Sequence, residues 1–459
     1  MKRADIRPDP VRKFKMPGNP YVLFLPFLVA YILIVVLLQS NSFWGDEIRY
    51  YGLAQRLLHG YFSPPAPNID CPAGPGYPIF IAPFLAGHLP LLWIRLLNPI
   101  LYYLSVVLLF KTLRQFVPLK LALIVSLFWA IYFNAFEFMP LLLTETLAIF
   151  LICLVLFSLS KAFAANSSDK HVVLAGFVLG YLALTKVVFG YVLLAMLIGN
   201  LGLWMLAKRK SPYKRAVIVI AIAFFTTAPY LAYTYHLTGR IFYWSSGSSS
   251  NLYWMSSPLQ NEYGNWFADL QPGSGSTEKT PEKLYSGGEL SLKNRGTNGM
   301  PGLLDSLEVN HKEDFDEINK YTGIERDDAF QRIAVKNIKA HPGKYVMNCF
   351  SNLGRVLFNY PYSYTLQKPG TLLRLPLNGI IVVVMLLSLV PAVTNWKKIP
   401  FVIRLLFFFT LIYLGGSILE SAEFRMFSIV VPIILLWIAY IVHKSVQISL
   451  VFDKNRNTL

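Results

Sequence analysis

The chain is poor in charge, in cysteine and in the short motifs of nucleotide and metal chemistry, and each shortage excludes something. Only 15% of its 459 residues are charged, whereas 54% are hydrophobic, and the mean hydropathy is +0.46. A water-soluble domain has no interior large enough to hide that much apolar surface. The cysteines are Cys71, Cys153 and Cys349. With no repeated spacing they leave room for one disulfide at most, and they suggest neither a disulfide framework nor a zinc site. The seven histidines are scattered and make no HExxH pattern, so they read as structural. No glycine-rich nucleotide cradle is present, and no internal repeat marks the duplicated halves common in transporters.

What the chain does have is long apolar runs. About ten reach or approach the roughly 20 residues that cross a bilayer. They lie at 20–40, 91–112, 119–138, 140–160, 172–186, 187–206, 215–236, 372–393, 400–419 and 426–443. The fold class is therefore all-α and polytopic. The net charge of +17 does not point to nucleic acid, because the basic residues sit in short segments between apolar runs, where they act as orientation signals. Lys2, Arg3, Arg7, Arg12, Lys13 and Lys15 place the N-terminus in the cytoplasm. Lys111, Arg114 and Lys120, then Lys161 and Lys170, Lys208 to Lys210 with Lys214 and Arg215, Lys397 and Lys398, and Lys444, Lys454 and Arg456 then fall on the same side. The first run reads as a retained anchor rather than a cleaved leader. The expected home is the cytoplasmic (inner) membrane of a prokaryote.

Three parts are expected: a transmembrane module over 1–236, an external lid region over 237–371, and C-terminal spans over 372–459. Within the first external segment, 41–90, residues 46–59 read as a helix ended by Gly60, with Ile48, Tyr51, Leu57 and Leu58 on its apolar side, lying in the interface. The proline- and glycine-rich stretch 63–78 cannot be regular helix, and Ile79 to Ala86 re-enters the membrane surface. In the second segment the middle is rich in glycine, serine and asparagine. Glu325 to Ala340 and the amphipathic Tyr345 to Phe358 read as helices resting on the membrane.

Charges at or inside the spans each need a reason, because a mid-bilayer charge costs about 2.5–3.5 kcal/mol. Asp46, Glu47, Glu145, Lys186, Arg240, Glu420, Glu423 and Arg425 all fall on the external side by the span count, so separate spans deliver both signs of charge to one end. Blander roles remain beside this one. Glu145 and Lys186 can pair as structural glue, Arg425 can snorkel to headgroups, Asp46 can cap the helix that follows it, and Glu137 and Arg95 read as interfacial.

With those residues in view, the chain resembles the GT-C superfamily of membrane glycosyltransferases, in particular the protein O-mannosyltransferase and lipid A aminoarabinose transferase branch. The residues that carry the resemblance are Asp46-Glu47 with Tyr50 and Ala54, Pro75-Gly76-Tyr77-Pro78, Arg95-Leu96-Leu97-Asn98, Thr144-Glu145-Thr146 and Gly180 to Lys186. They continue through Pro229 to Gly239-Arg240, Ser245 to Asn251, His341-Pro342 and Glu423-Phe424-Arg425 before Pro432. The resemblance implies a GT-C-like bundle and an inverting transferase that takes a sugar from a polyprenyl-phosphate donor, with Asp46 as the base. The chain departs from the pattern in having Lys186 where arginine is common, which keeps the charge and loses the bidentate fork.

The residue chemistry agrees. Glycosyl transfer from a phosphate needs a base for the acceptor proton and cations for the leaving phosphate. Asp46 is the candidate base, with Glu47 beside it to orient it, to join it on a divalent metal, or to hold acceptor hydroxyls; a lone acid pair is too small a ligand set to define a metal site. Lys186, Arg240 and Arg425 are candidates for the donor phosphate. Glu145, Tyr77, Glu423 and Asp70 are candidates for sugar or acceptor. Expected partners are a lipid-linked donor, a lipid, glycan or protein acceptor, and membrane lipids. A flippase of lipid-linked intermediates and a polysaccharide ligase or polymerase stand as alternatives.

Overall fold

A computed structural model describes residues 18–39, 43, 45–165, 168–206, 212–266, 303–363 and 369–445. The basic N-terminus, Lys208 to Lys210, the middle of the second external segment and the basic C-terminus lie outside these residues.

Among the described residues the chain is helical, without strands. The elements are α1 (Pro20–Leu23), α2 (Leu25–Leu38), α3 (Glu47–Leu58), α4 (Gly76–Ala86), α5 (Leu91–Arg95), α6 (Leu97–Leu113), α7 (Leu119–Ala130), α8 (Phe133–Phe136), α9 (Thr144–Ala162), α10 (Asp169–Thr185), α11 (Val188–Leu206) and α12 (Pro212–Thr238). After these come α13 (Ser248–Met255), α14 (Leu303–Ile318), α15 (Gly323–Ala340), α16 (Pro342–Phe358), α17 (Pro369–Thr394), α18 (Phe401–Ser417) and α19 (Arg425–Ser445).

Helices occur at all ten expected spans, and among the described residues six segments are both long and apolar enough to cross a membrane: Leu91–Leu113, Thr144–Ala162, Val188–Leu206, Pro212–Thr238, Arg374–Thr394 and Arg425–Ser445. The protein is thus a multi-pass helical membrane protein. The expected span 119–138 is broken: α7 stops at Ala130, and the short α8 follows. At that break the Tyr31 and Tyr102 hydroxyls donate to Ala130 O and Trp129 O, and Ser428 Oγ donates to Asn134 O, so side chains take over where the helical ladder ends. Tyr132 and Asn134 hydrogen-bond to Asn378 of α17. The most enclosed helices are α9 and α19, whose buried residues run almost from end to end.

Helix α3 differs from its expected orientation. Its buried residues are Glu47, Ile48, Tyr50, Leu53 and Ala54, whereas Leu58 is exposed. Ranking positions by apolarity alone misplaced this face, because Glu47 enters the interior with its charge paired. Two glycines then fix where α4 begins. A Cβ on Gly74 would lie 2.1 Å from Leu184 O, and one on Gly76 would lie 2.6 Å from Thr185 N. The chain therefore runs directly against the last turn of α10, next to Lys186.

Helices α13, α14 and α15 enclose a second, smaller apolar core of Tyr253, Trp254, Phe315, Ile318, Phe330 and Ala334. His311 is buried beside it, 2.9 Å from Glu262 Oε2 and 2.5 Å from the Tyr253 hydroxyl. Helix α16 joins this part to the bundle. The Asn352 amide donates to Ser417 O and Ile418 O at 3.2 Å each, and Arg355 donates to Tyr263 O and Pro361 O at 3.0 Å each. All three cysteines are free.

Candidate functional site

Four helix ends meet at one end of the bundle, and each brings a charge. Gly45, at φ +58°, takes the left-handed turn that L-residues avoid and sets Asp46 at the start of α3. Glu145 lies in the first turn of α9. Lys186 occupies the extended break just after α10, and Arg425 opens α19. A carboxylate at a helix N-terminus and a cation at a C-terminus suit the helix dipole. Arg425 stands at the wrong end for its own helix, and carboxylates surround it.

Arg425 Nη2 donates to Asp46 Oδ2. Its Nε lies 3.3 Å from Glu423 Oε2 and 3.5 Å from Glu145 Oε1. The same Glu145 oxygen accepts from Lys186 Nζ at 2.8 Å. Arg49, one turn along α3, lies 3.5 Å from Asp46 Oδ1. Asp46 occupies the N-cap position of α3, yet its side chain makes no capping hydrogen bond. Its oxygens face cations instead. Tyr50 adjoins this group, its ring 5.3 Å from that of Tyr77. Burial, and then the charges of Asp46 and Glu145, push the Tyr50 phenol up to about 12.

The structure separates the candidates taken together from sequence. Asp46, Glu145, Lys186, Glu423 and Arg425 converge, with Tyr77 behind them. Glu47 points elsewhere. Its Oε1 accepts from Arg95 Nη2 at 2.9 Å and from Leu142 N at 2.8 Å, and neither charged side chain has exposed surface. Arg95 is therefore an interior residue rather than an interfacial one. Asp46 and Glu47 turn to different cations and do not present two carboxylates to one ion. Among the described residues no cluster of three or more histidine, cysteine or acidic side chains is suited to a metal.

Arg240 pairs with Asp328 of α15 at 2.6 Å, and Asp70 pairs with Arg56 at 3.3 Å. Neither partner belongs to the Asp46 group. Gly239, at φ +67°, turns the chain after α12 so that Arg240 meets α15.

Sequence reasoning passed over two cations. Arg49 follows Asp46 by three positions, a helical spacing that could have signalled it. Arg374 donates to Glu137 at 3.1 Å and lies 4.2 Å from the centroid of the Phe424 ring, one residue before Arg425. Nothing in the local sequence joins Glu137 to position 374.

A multi-pass helical bundle with a mixed-charge cluster at one end is the class that the fold and site define. Residues 72–233 match the model of a family described as dolichyl-phosphate-mannose-protein mannosyltransferase. That match, over less than half of the chain, bears out the resemblance to the GT-C membrane glycosyltransferases. No curated protein matches the sequence. Among solved structures, the chain is similar to the S. cerevisiae protein O-mannosyltransferase complex bound to the sugar donor, at 20% identity and TM-score 0.37, covering 54% of this chain and 38% of that one. It is similar to ArnT from Cupriavidus metallidurans bound to undecaprenyl phosphate, at 13% identity and TM-score 0.38, covering 92% and 77%. It is also similar to the Archaeoglobus fulgidus oligosaccharyltransferase tethered with an acceptor peptide, at 14% identity and TM-score 0.45, covering 91% and 49%. The chain thus spans 38% of the yeast mannosyltransferase chain and 49% of the archaeal one.

Proposed function

We propose that the protein is a glycosyltransferase that moves a sugar from a polyprenyl-phosphate donor to an acceptor hydroxyl, with inversion, at the external face of the membrane. The observation that carries this reading is the convergence of Asp46, Glu145, Lys186 and Arg425 at one end of a bundle whose residues 72–233 match a mannosyltransferase family. Under this reading the three parts expected from sequence act as a catalytic membrane module, a lid and closing spans. The membrane is the cytoplasmic membrane of a prokaryote.

Asp46 takes the proton of the acceptor hydroxyl as its oxygen attacks the anomeric carbon. The bond from that carbon to the phosphate oxygen breaks, and polyprenyl phosphate leaves with the electron pair. Lys186 and Arg425 hold the phosphate as charge builds on the leaving oxygen, where partial exclusion of water strengthens their effect. Tyr77 and Glu423 border the sugar or acceptor. Glu47 acts through position, by fixing α3 to Arg95 and to the entry of α9. Arg240 holds α15 of the lid through Asp328, and Asp70 ties its loop to α3 through Arg56.

The test is transfer from radiolabelled polyprenyl-phosphate sugars to a membrane acceptor fraction, wild type beside Asp46→Asn. Label in an acceptor with wild type and none with Asp46→Asn is the expected result. Movement of donor across vesicles without transfer by wild type would replace this reading with the flippase.

A further inference from the structure

The cations that this reading gives to the donor phosphate are already occupied. Glu145 Oε1 lies 2.8 Å from Lys186 Nζ and 3.5 Å from Arg425 Nε, and its side chain is only 2% exposed. Asp46 and Glu423 also face Arg425, and Arg49 faces Asp46. Three carboxylates thus meet three cations, and the group is close to neutral as it stands. Adding an anion there leaves a charge without a counter-ion in a site largely closed to water, which is costly. A phosphate can take Lys186 and Arg425 only if a carboxylate releases them.

We propose that Glu145 is a resident competitor of the donor phosphate: one carboxylate oxygen bridges Lys186 and Arg425 and withdraws from both when a polyprenyl phosphate binds. Asp46 and Glu423 touch Arg425 and not Lys186, so Glu145 is the carboxylate that both cations share: its departure frees Lys186 and leaves Arg425 with two carboxylates in place of three. This arrangement confers selectivity. Inorganic phosphate brings no apolar tail, so it has no additional binding energy to offset displacement of Glu145. A polyprenyl phosphate gains that energy from its isoprenoid chain. The inference rests on the polyprenyl-phosphate reading above, and the experiment separates the two.

The measurement is binding of polyprenyl phosphate to protein in nanodiscs, with inorganic phosphate as competitor, for wild type, Glu145→Gln, Glu145→Ala and Lys186→Met. Size-exclusion profile and melting temperature confirm that each variant is folded. The expected result is weaker binding to Lys186→Met and about tenfold tighter binding to both Glu145 variants. Inorganic phosphate should compete in the Glu145 variants and not in wild type. Equal or weaker binding to the Glu145 variants, with Lys186→Met still impaired, would overturn the competitor role and leave the phosphate site standing. Binding that ignores Lys186 overturns the phosphate site itself, and the inference falls with it. If neither Glu145 variant folds, infrared difference spectra of wild type decide: a carboxylate band that changes on adding polyprenyl phosphate supports the proposal, and an unchanged carboxylate region overturns it.

Discussion

Arg425 donates to Asp46 across 379 residues of chain, joining the first turn of α19 to the N-cap position of α3. That pairing turns Asp46 away from capping its helix and towards the charged group. Asp46→Asn keeps the shape and removes the negative charge. Loss of a positioned base should lower transfer by about a hundred- to ten-thousandfold, with little change in melting temperature. Steady-state transfer rates and a thermal melt in detergent check the two halves of this expectation.

Glu47 and Arg95 have the opposite profile. Both are fully buried, and removing one takes from the other a counter-ion it meets in the interior, at a cost of about 3–5 kcal/mol. Glu47→Gln and Arg95→Leu should each lower the melting temperature and the yield of monodisperse protein. The double variant should recover part of the loss, because neither buried charge of the pair remains. If Glu47→Gln melts like wild type while transfer disappears, Glu47 is chemical rather than structural.

Gly76 tests the approach of α4 to Lys186. A Cβ at this position meets Thr185 N and Oγ1 at 2.6 Å and Leu184 C at 2.7 Å, and backbone atoms cannot step aside as a flexible side-chain end can. Gly76→Ala should shift the end of α10 and reduce donor binding. Gly52→Ala, where a Cβ meets nothing within 4 Å, should leave donor binding unchanged. Binding of polyprenyl phosphate to both variants is the measurement.

The lid side should respond to pH. Burial pushes Asp327 up to about 6 and Glu420 up to about 7, and the charge of Asp327 adds to the rise at Glu420. Arg240 and Tyr243 offset the rise at Asp327, while Asp328 adds to it. A carboxyl raised in the folded state favours folding while protonated, so this contribution is present at low pH and lost as pH climbs through about 6 to 7. Limited proteolysis of α15 should therefore be slower near pH 5 than near pH 8. Asp327→Asn with Glu420→Gln should flatten the difference.

Much of the architecture was legible in sequence because a bilayer imposes a length rule. A run of apolar residues without charge has few other places to go, so helices stand where the spans were read. The two lid helices ended close to where their patterns end, α15 at Ala340 and α16 at Phe358. The rule weakens where polar side chains replace backbone hydrogen bonds. That is what happens in 119–138, where the helix stops at Ala130 and side-chain hydroxyls of Tyr31 and Ser428 donate to Ala130 O and Asn134 O from helices distant in sequence.

The sequence by itself determined the class of protein and the inventory of charges near span ends, because hydropathy and local spacing are properties of neighbouring residues. Only the tertiary structure decided which charges belong together. Asp46 and Glu47 are adjacent, yet successive side chains on a helix point about 100° apart, so one faces Arg425 and the other Arg95. Lys186 and Arg425 joined through Glu145, whereas Arg240, which looked equivalent, was taken by Asp328. Partners of buried charges are set by which helix ends meet, and that depends on close approaches such as Gly76 against Thr185 that no local pattern encodes.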